Sequence, residues 1–260
     1  MTTPIFAIDH LTAAYGRRDV LHDLSFTLEP GLFYGLIGPN GSGKTTLLDL
    51  MLANLTPRAG TTLFNGQPVE EFSRRELARQ IALVPQDFRI NFDFTVFEVV
   101  MMGRHPHIPR FANPSAADLA VVDRVLAELE ISGLQERLVT QLSGGEKQRV
   151  IVARALAQET PVLILDEATS NLDIQHSLQI FQVLKRRCLE QGSTVIAAIH
   201  DLNFAAAYCD GILLLNQGRL VTSGPPCEVL NSARLHEVFA IDCQAYTEPF
   251  SGAHQIAYRY

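Results

Sequence analysis

Leu32-Phe33-Tyr34-Gly35-Leu36-Ile37 is an apolar run that ends in Gly38-Pro39-Asn40-Gly41-Ser42-Gly43-Lys44-Thr45. Those eight residues fill every position of G-x-x-x-x-G-K-[ST]. Thr45 to Leu55 then reads as a helix, so the stretch is strand, glycine loop, helix. The residue types suit one chemistry. Glycines let the main chain curl until its N–H groups face inward on phosphate oxygens. The helix behind adds its positive N-terminal end. Lys44, with Thr46 nearby, places a charge on the β- and γ-phosphates, and Thr45 offers a hydroxyl to Mg²⁺.

A second stretch completes such a site. Val162-Leu163-Ile164-Leu165-Asp166-Glu167 is an apolar strand ending in two acids. Taken alone, such a strand could simply reach solvent and turn acidic. Behind a phosphate loop, Asp166 can hold Mg²⁺ directly or through water, and Glu167 can orient and polarise an attacking water. Leu142-Ser143-Gly144-Gly145-Glu146 precedes a helix read over Val150 to Ala157. Serine and two glycines there form an N-cap and a surface open to close approach. On local grounds alone they would be a helix cap and nothing more.

Working outward, Ile5 to Glu29 alternates short β-like pieces with turns. Arg74 to Arg79 looks helical, and Ile81 to Val84 looks like a buried strand. Asn113-Pro114-Ser115 supplies start signals for an amphipathic helix over Ala116 to Leu129. Ile174 to Gln191 is helical, Val195 to Ile199 is another buried strand, and Gly211 to Leu215 with Arg219 to Val221 forms a hairpin across Asn216-Gln217-Gly218. Apolar strands alternating with helices imply a mostly parallel, covered sheet. The Phe-, Pro- and His-rich texture from residue 87 suggests a helical subdomain inserted into it.

The phosphate loop, Leu-Ser-Gly-Gly-Glu and the apolar strand ending in Asp-Glu, in this order, resemble the ABC ATPase family from about Ile5 to Phe239. The resemblance implies an α/β P-loop NTPase fold with a RecA-like parallel-sheet core, an N-terminal antiparallel β-subdomain and an inserted α-helical subdomain. The core would span about 1–86 and 159–240, the helical insert about 87–158, and a β-hairpin tail about 241–260. It also implies further site residues. Tyr15 stands where the family stacks an aromatic ring on adenine, although it could be an ordinary turn tyrosine. Gln86 matches the glutamine that touches Mg²⁺ and water and senses a membrane partner. Asp173, in Ser170-Asn171-Leu172-Asp173, matches the loop that crosses the dimer interface, and His200 matches the histidine on the γ-phosphate. Two such subunits pack head to tail, each ATP lying between one phosphate loop and the partner's Ser143, Gly144, Gly145 and Glu146. Ala168 departs from the proline common after the acidic pair, but leaves both carboxylates in place.

Within the family, Thr95-Val96-Phe97-Glu98-Val99-Val100, Gly103-Arg104-His105-Pro106-His107, Ile199-His200-Asp201-Leu202-Asn203 and Ala207-Tyr208-Cys209-Asp210 look like the ATPase subunits of iron-siderophore, haem and vitamin B12 importers. That likeness implies a homodimer on two copies of a polytopic permease, with a substrate-binding protein acting indirectly. The place implied is the cytoplasmic face of the inner membrane. A molybdate importer, or an ATPase driving a soluble partner, remains an alternative. His105 and His107, split by a proline, read as loop residues rather than a metal site. The stretch from Phe88 to Arg110 reads as part of the surface that docks the permease.

Composition bounds these readings. Apolar residues are 47% and charged residues 19%, a globular balance. A formal charge of −7 argues against nucleic acid as a partner. No run approaches the roughly 18 apolar residues of a membrane span, and Met1 to His10 carries no export signal, so the chain is expected to be soluble by itself. Cys188, Cys209, Cys227 and Cys243 have no C-x-x-C spacing and read as buried free thiols of a reducing compartment.

Overall fold

Two long strands open the chain where the alternation of apolar residues had suggested short pieces. They are β1 (Phe6–Tyr15) and β2 (Arg18–Leu28), paired antiparallel from Phe6 opposite Leu28 to Tyr15 opposite Arg18. His10 and Asp23 adopt positive φ, and the register shifts between Ile8 and Ala14. Such irregularities break the two-residue period from which strands are read. The computed structural model describes residues 3–16, 18–86, 92–169 and 172–259.

The chain divides into two units, residues 1–72 with 196–260, and residues 73–195. The first unit continues through β3 (Phe33–Ile37), α1 (Lys44–Met51), β4 (Ala59–Phe64) and the short β5 (Gln67–Pro68). Strand order β2-β1-β4-β5 makes an antiparallel sheet. Phe6 and Phe64 meet inside it, ring centroids 5.1 Å apart, among the fully buried Leu11, Leu21, Leu24 and Leu28.

The second unit holds α2 (Arg74–Gln80), β6 (Ile81–Val84), α3 (Val96–Met101), α4 (Ala116–Glu128), α5 (Gly144–Ala157), β7 (Val162–Asp166) and α6 (Ile174–Gln191). β6 and β7 run parallel, Ile81 beside Val162 and Val84 beside Leu165. Every residue of β7 is buried, the continuous apolar pattern of a strand covered on both faces. Four helices here, α2 to α5, start with a capping box, in which serine or threonine and an acid three residues on satisfy each other's main-chain N–H groups. The chain returns to the first unit within β8 (Thr194–Ala198).

The rest of the first unit is α7 (Leu202–Tyr208), β9 (Gly211–Asn216), β10 (Arg219–Gly224), α8 (Pro226–Val229), α9 (Ser232–Phe239), β11 (Cys243–Thr247) and β12 (His254–Tyr258). β3 pairs in parallel with β9, and β9 and β10 form the expected antiparallel hairpin. β11 and β12 pair antiparallel, Ala245 opposite Ile256. Parallel strands between helices, beside antiparallel N-terminal strands, give the mixed α/β class that the sequence implied.

No helix among the described residues is long and apolar enough to cross a membrane. Cys188 and Cys209 are buried as expected, but Cys227 is exposed and Cys243 only partly covered. Pro225 caps α8 and Pro226 begins it, so Cys227 falls in the first turn of a short helix, where it is exposed.

Candidate functional site

The phosphate loop bridges β3 and α1. Gly43 caps the helix at φ 102°, a conformation closed to other residues at low cost, and an added Cβ would come within 2.4 Å of the Leu21 side chain. Gly43, having no side chain, makes no side-chain cap bond to α1. The loop is braced from behind by a residue that the sequence offered only as a hairpin turn. Gly218, at φ 74°, donates its N–H to the Ser42 carbonyl at 3.1 Å and accepts the His22 N–H at 2.9 Å. A Cβ there would stand 2.0 Å from the Val20 carbonyl oxygen, so only glycine lets β2, the β9–β10 turn and the loop close together. Nothing in the sequence spacing pointed to this contact.

Lys44 is 5% exposed, its ammonium donating to the carbonyls of Gly38 at 2.9 Å and Pro39 at 3.3 Å. Ser42 is 2% exposed, and its hydroxyl oxygen has no hydrogen-bond partner among the described residues. A buried ammonium and a buried unpartnered hydroxyl in one glycine loop are a donor set made for an anion. Pro39, Asn40 and Gly41 lie along the same loop, and Thr45, exposed, and Thr46, buried, follow in the first turn of α1. Tyr15 ends β1 with 52% of its surface exposed, which leaves its ring open to a stacking partner.

His200 is in the same unit and follows β8. Ile199 donates its N–H to the Leu36 carbonyl at 3.2 Å, which fixes His200 just beyond a main-chain link to β3, the strand that leads into the loop.

In the second unit, β7 delivers Asp166, 7% exposed, at its end and Glu167 one residue later. Glu167 adopts φ 51°, an uncommon conformation for a residue with a side chain, of the kind found at functional sites. Its carboxylate accepts a hydrogen bond from the Gln86 amide at 2.6 Å. Gln86 lies two residues past β6, the parallel neighbour of β7, so the pair meets at equivalent strand ends.

Ser143 and Glu146 form the capping box of α5. The Ser143 hydroxyl accepts the Glu146 N–H at 3.3 Å, and the Glu146 carboxylate accepts the Ser143 N–H at 2.8 Å. The Ser143 N–H, and after it the Ser143 hydroxyl, hold the Glu146 carboxyl below its ordinary range and commit it to the cap. The Ser143 hydroxyl thus accepts the Glu146 N–H and lies on the Glu146 carboxylate. Gly144 and Gly145 keep the surface beside it low: a Cβ would meet nothing within 4 Å at the first and only the Leu172 side chain, at 3.5 Å, at the second.

Asp173 caps α6. It accepts the His176 N–H at 2.9 Å and faces His176 Nδ1 at 2.8 Å, and the first of these does most to hold its carboxyl below the ordinary range. Ser170 and Asn171, in the same loop, and residues 88–91 of the expected docking stretch lie outside the described residues.

In the Gly103–His107 segment, Gly103 and Arg104 are buried and His105 is exposed. Arg104, 7% exposed, binds Asp118 at 2.9 Å, with the Ala157 carbonyl and Glu159 each at 2.8 Å. His107 Nε2 meets the Gln158 carbonyl at 2.8 Å, which gives that ring a structural partner. Arg75 and Arg79 hold the Pro106 carbonyl from α2. The motif is a clamp joining three helices of the unit.

Comparison with known proteins adds to this geometry. Residues 21–170 match the ABC transporter family. The cobalamin import ATP-binding protein BtuD of Halobacterium salinarum is 44% identical over 97% of this chain. The chain spans 62% of that relative's length. The hemin import ATP-binding protein HmuV of Thermobifida fusca is 37% identical over 96% of this chain and 87% of its own. A solved structure of a proposed metal-chelate type ABC transporter, in an inward-facing conformation, superposes with a TM-score of 0.85 at 29% identity, covering 99% of this chain and 98% of its own.

Proposed function

Because this chain belongs to the ABC transporter family, we propose that it is the ATP-binding and ATP-hydrolysing subunit of a membrane importer. Its cargo is of the kind named for its relatives, a cobalamin, haem or iron-siderophore complex. Two copies pair head to tail on two copies of a polytopic permease, at the cytoplasmic face of the membrane, and a substrate-binding protein delivers the cargo.

The roles that the family assigns fit the donors and acceptors present. Tyr15 stacks on the adenine. The loop from Gly38 to Gly43, with Lys44 and Thr46, takes the phosphates, and the unpartnered Ser42 hydroxyl fits that use. Thr45, Asp166 and Gln86 offer the oxygens that would hold Mg²⁺, which supplies charge neutralisation on the phosphates. Ser143 of the second copy turns its hydroxyl to the γ-phosphate, backed by the N-terminal end of α5 and by the main chain at Gly144 and Gly145. Glu146 serves by holding Ser143 in its cap, and Asp173 crosses to the second copy.

Hydrolysis asks for an aligned water. Glu167 accepts a hydrogen bond from that water as its oxygen attacks the γ-phosphorus. The bond from that phosphorus to the β–γ bridging oxygen breaks, and the electron pair leaves with ADP. His200 meets the γ-phosphate. The bridge from Gln86 to Glu167 at 2.6 Å is the observation that carries this reading, because it aims the base and joins it to the residue that senses the permease. ATP prefers the closed pair, so binding shifts the population toward closure, and loss of the γ-phosphate releases it.

Glu167→Gln tests the assignment. Water activation goes while phosphate contacts stay, so turnover should fall by about 10² or more and ATP should trap a dimer on gel filtration. A monomer with ATP bound, or turnover near that of the wild type, would overturn the reading.

A further inference from the structure

We propose that Asn203 is a positioning residue for His200, and that it acts by tying the main chain after His200 to strand β12. The inference rests on the role given to His200 above. It explains two features that the phosphate site does not use, the asparagine of His200-Asp201-Leu202-Asn203 and the β11–β12 hairpin.

Asn203 meets a single residue, Ile256, with both ends of its amide. The Ile256 N–H donates to Asn203 Oδ1 at 2.7 Å, and Asn203 Nδ2 donates to the Ile256 carbonyl at 3.3 Å. An amide carries one acceptor and one donor group side by side, so asparagine can satisfy a strand residue as a neighbouring strand would. Aspartate offers only the acceptor, and leucine neither. The Ile256 side chain is 3% exposed, so side chain and main chain are both fixed at this point of β12.

His200 stands between two anchors. Before it, Ile199 is bonded to Leu36. After it, Asp201 caps α7 by accepting the N–H groups of Asn203 at 2.8 Å and Phe204 at 3.1 Å. That turn is short, and within it Asn203 is hydrogen-bonded to β12. Leu202 and Ala205 are buried beneath α7. The hairpin is held at its other side, His254 Nε2 on the Leu230 carbonyl at 2.9 Å and the Ala245 N–H on the Ser232 hydroxyl at 3.2 Å. It can therefore act as a fixed post, with α7 fastened to it and His200 at the start of the fastened segment. Loosening the fastening frees the α7 end of the His200 backbone while leaving the phosphate loop, on β3 and α1, as it is.

The experiment compares nucleotide affinity, binding stoichiometry and turnover in the full chain, using a fluorescent ATP analogue and phosphate release. Asn203→Ala should keep one nucleotide per chain at wild-type Kd and lose about tenfold in kcat, the order expected from two lost hydrogen bonds. Asn203→Asp, which keeps the bond from the Ile256 N–H, should lose about threefold and serves where the alanine variant does not fold. A merely structural role would reduce the fraction of chains that bind nucleotide, or weaken Kd, in step with kcat. That outcome, or wild-type kcat in both variants, overturns the inference. His200→Ala run alongside separates the two readings. If it is inactive while Asn203→Ala is unchanged, only the role of Asn203 falls. If it is fully active, the role of His200 falls first and this one with it.

Discussion

Replacing Gly218 by alanine should weaken nucleotide binding, although Gly218 lies outside the phosphate loop. The cost has three parts. At φ 74° an alanine pays roughly 1 kcal/mol for the left-handed conformation. Its methyl group would stand 2.0 Å from the Val20 carbonyl oxygen and 2.9 Å from the His22 ring, so strand β2 and the turn must part. Overpacking of that kind costs about 1 to 3 kcal/mol. The parting breaks the 3.1 Å bond from the Gly218 N–H to the Ser42 carbonyl, worth about 1 kcal/mol. Together these come to about 4 kcal/mol, within the usual stability of a folded domain. Gly192→Ala is the control. Gly192 has φ 67° and nothing within 4 Å of an added Cβ, so it carries the conformational cost alone, about 1 kcal/mol. Urea unfolding measures the two costs, and titration with a fluorescent ATP analogue measures the loop. Gly218→Ala should raise Kd about fivefold, the effect of a bond of about 1 kcal/mol, and Gly192→Ala should leave it unchanged. Equal stability losses in the two variants would refute the close-approach argument. A large loss for Gly218→Ala with unaltered Kd would refute the bracing of Ser42.

Lys44→Ala should abolish ATP hydrolysis measured by phosphate release, and near-normal turnover would remove the phosphate-loop assignment. Asp118 gives a pH-dependent prediction. Hydrogen bonds from Ser115 and then Arg104 hold its carboxyl down at about 2. A depressed carboxyl adds stability that is complete above its unfolded value of about 4 and is lost as pH falls through about 2. Asp118→Asn should therefore cost about 2 kcal/mol near pH 7. In urea titrations, the gap to the wild type should close between about pH 4 and pH 2. A gap that stays constant over that range would show that charge plays no part.

The sequence made the chemical residues legible because each sits where a buried strand ends. β3, β6, β7 and β8 are short apolar runs, and the phosphate loop, Gln86, Asp166 with Glu167, and His200 follow them. The start of α5 was less legible. Gly144 to Arg149 has no apolar period, so the helix showed only from Val150, although it begins at Gly144 under its capping box. The helices α8 and α9 are too short to announce themselves by periodicity. Gly218 and Asn203 were illegible as functional residues for another reason. Their partners, Ser42 and Ile256, lie far along the chain, and neither residue type is unusual in its local setting. Within the stretch Phe88 to Arg110, which reads as part of a docking surface, Arg104 and His107 take partners inside the unit, and the charge of Arg104 is matched by Asp118 and Glu159.

The division of the chain bears on how the protein is made. Residues 73–195 are continuous and can gather as soon as they leave the ribosome, whereas the unit with the phosphate loop is assembled from both sides of them. β3 needs β9 as its parallel neighbour, and the Phe33 N–H needs the Asp210 carboxylate, 177 residues later. At ordinary elongation rates that interval is on the order of 10 to 30 s. The loop is thus synthesised early but scaffolded late, and the brace from Gly218 arrives later still. The phosphate loop therefore gains its full support only in a chain translated past Gly218.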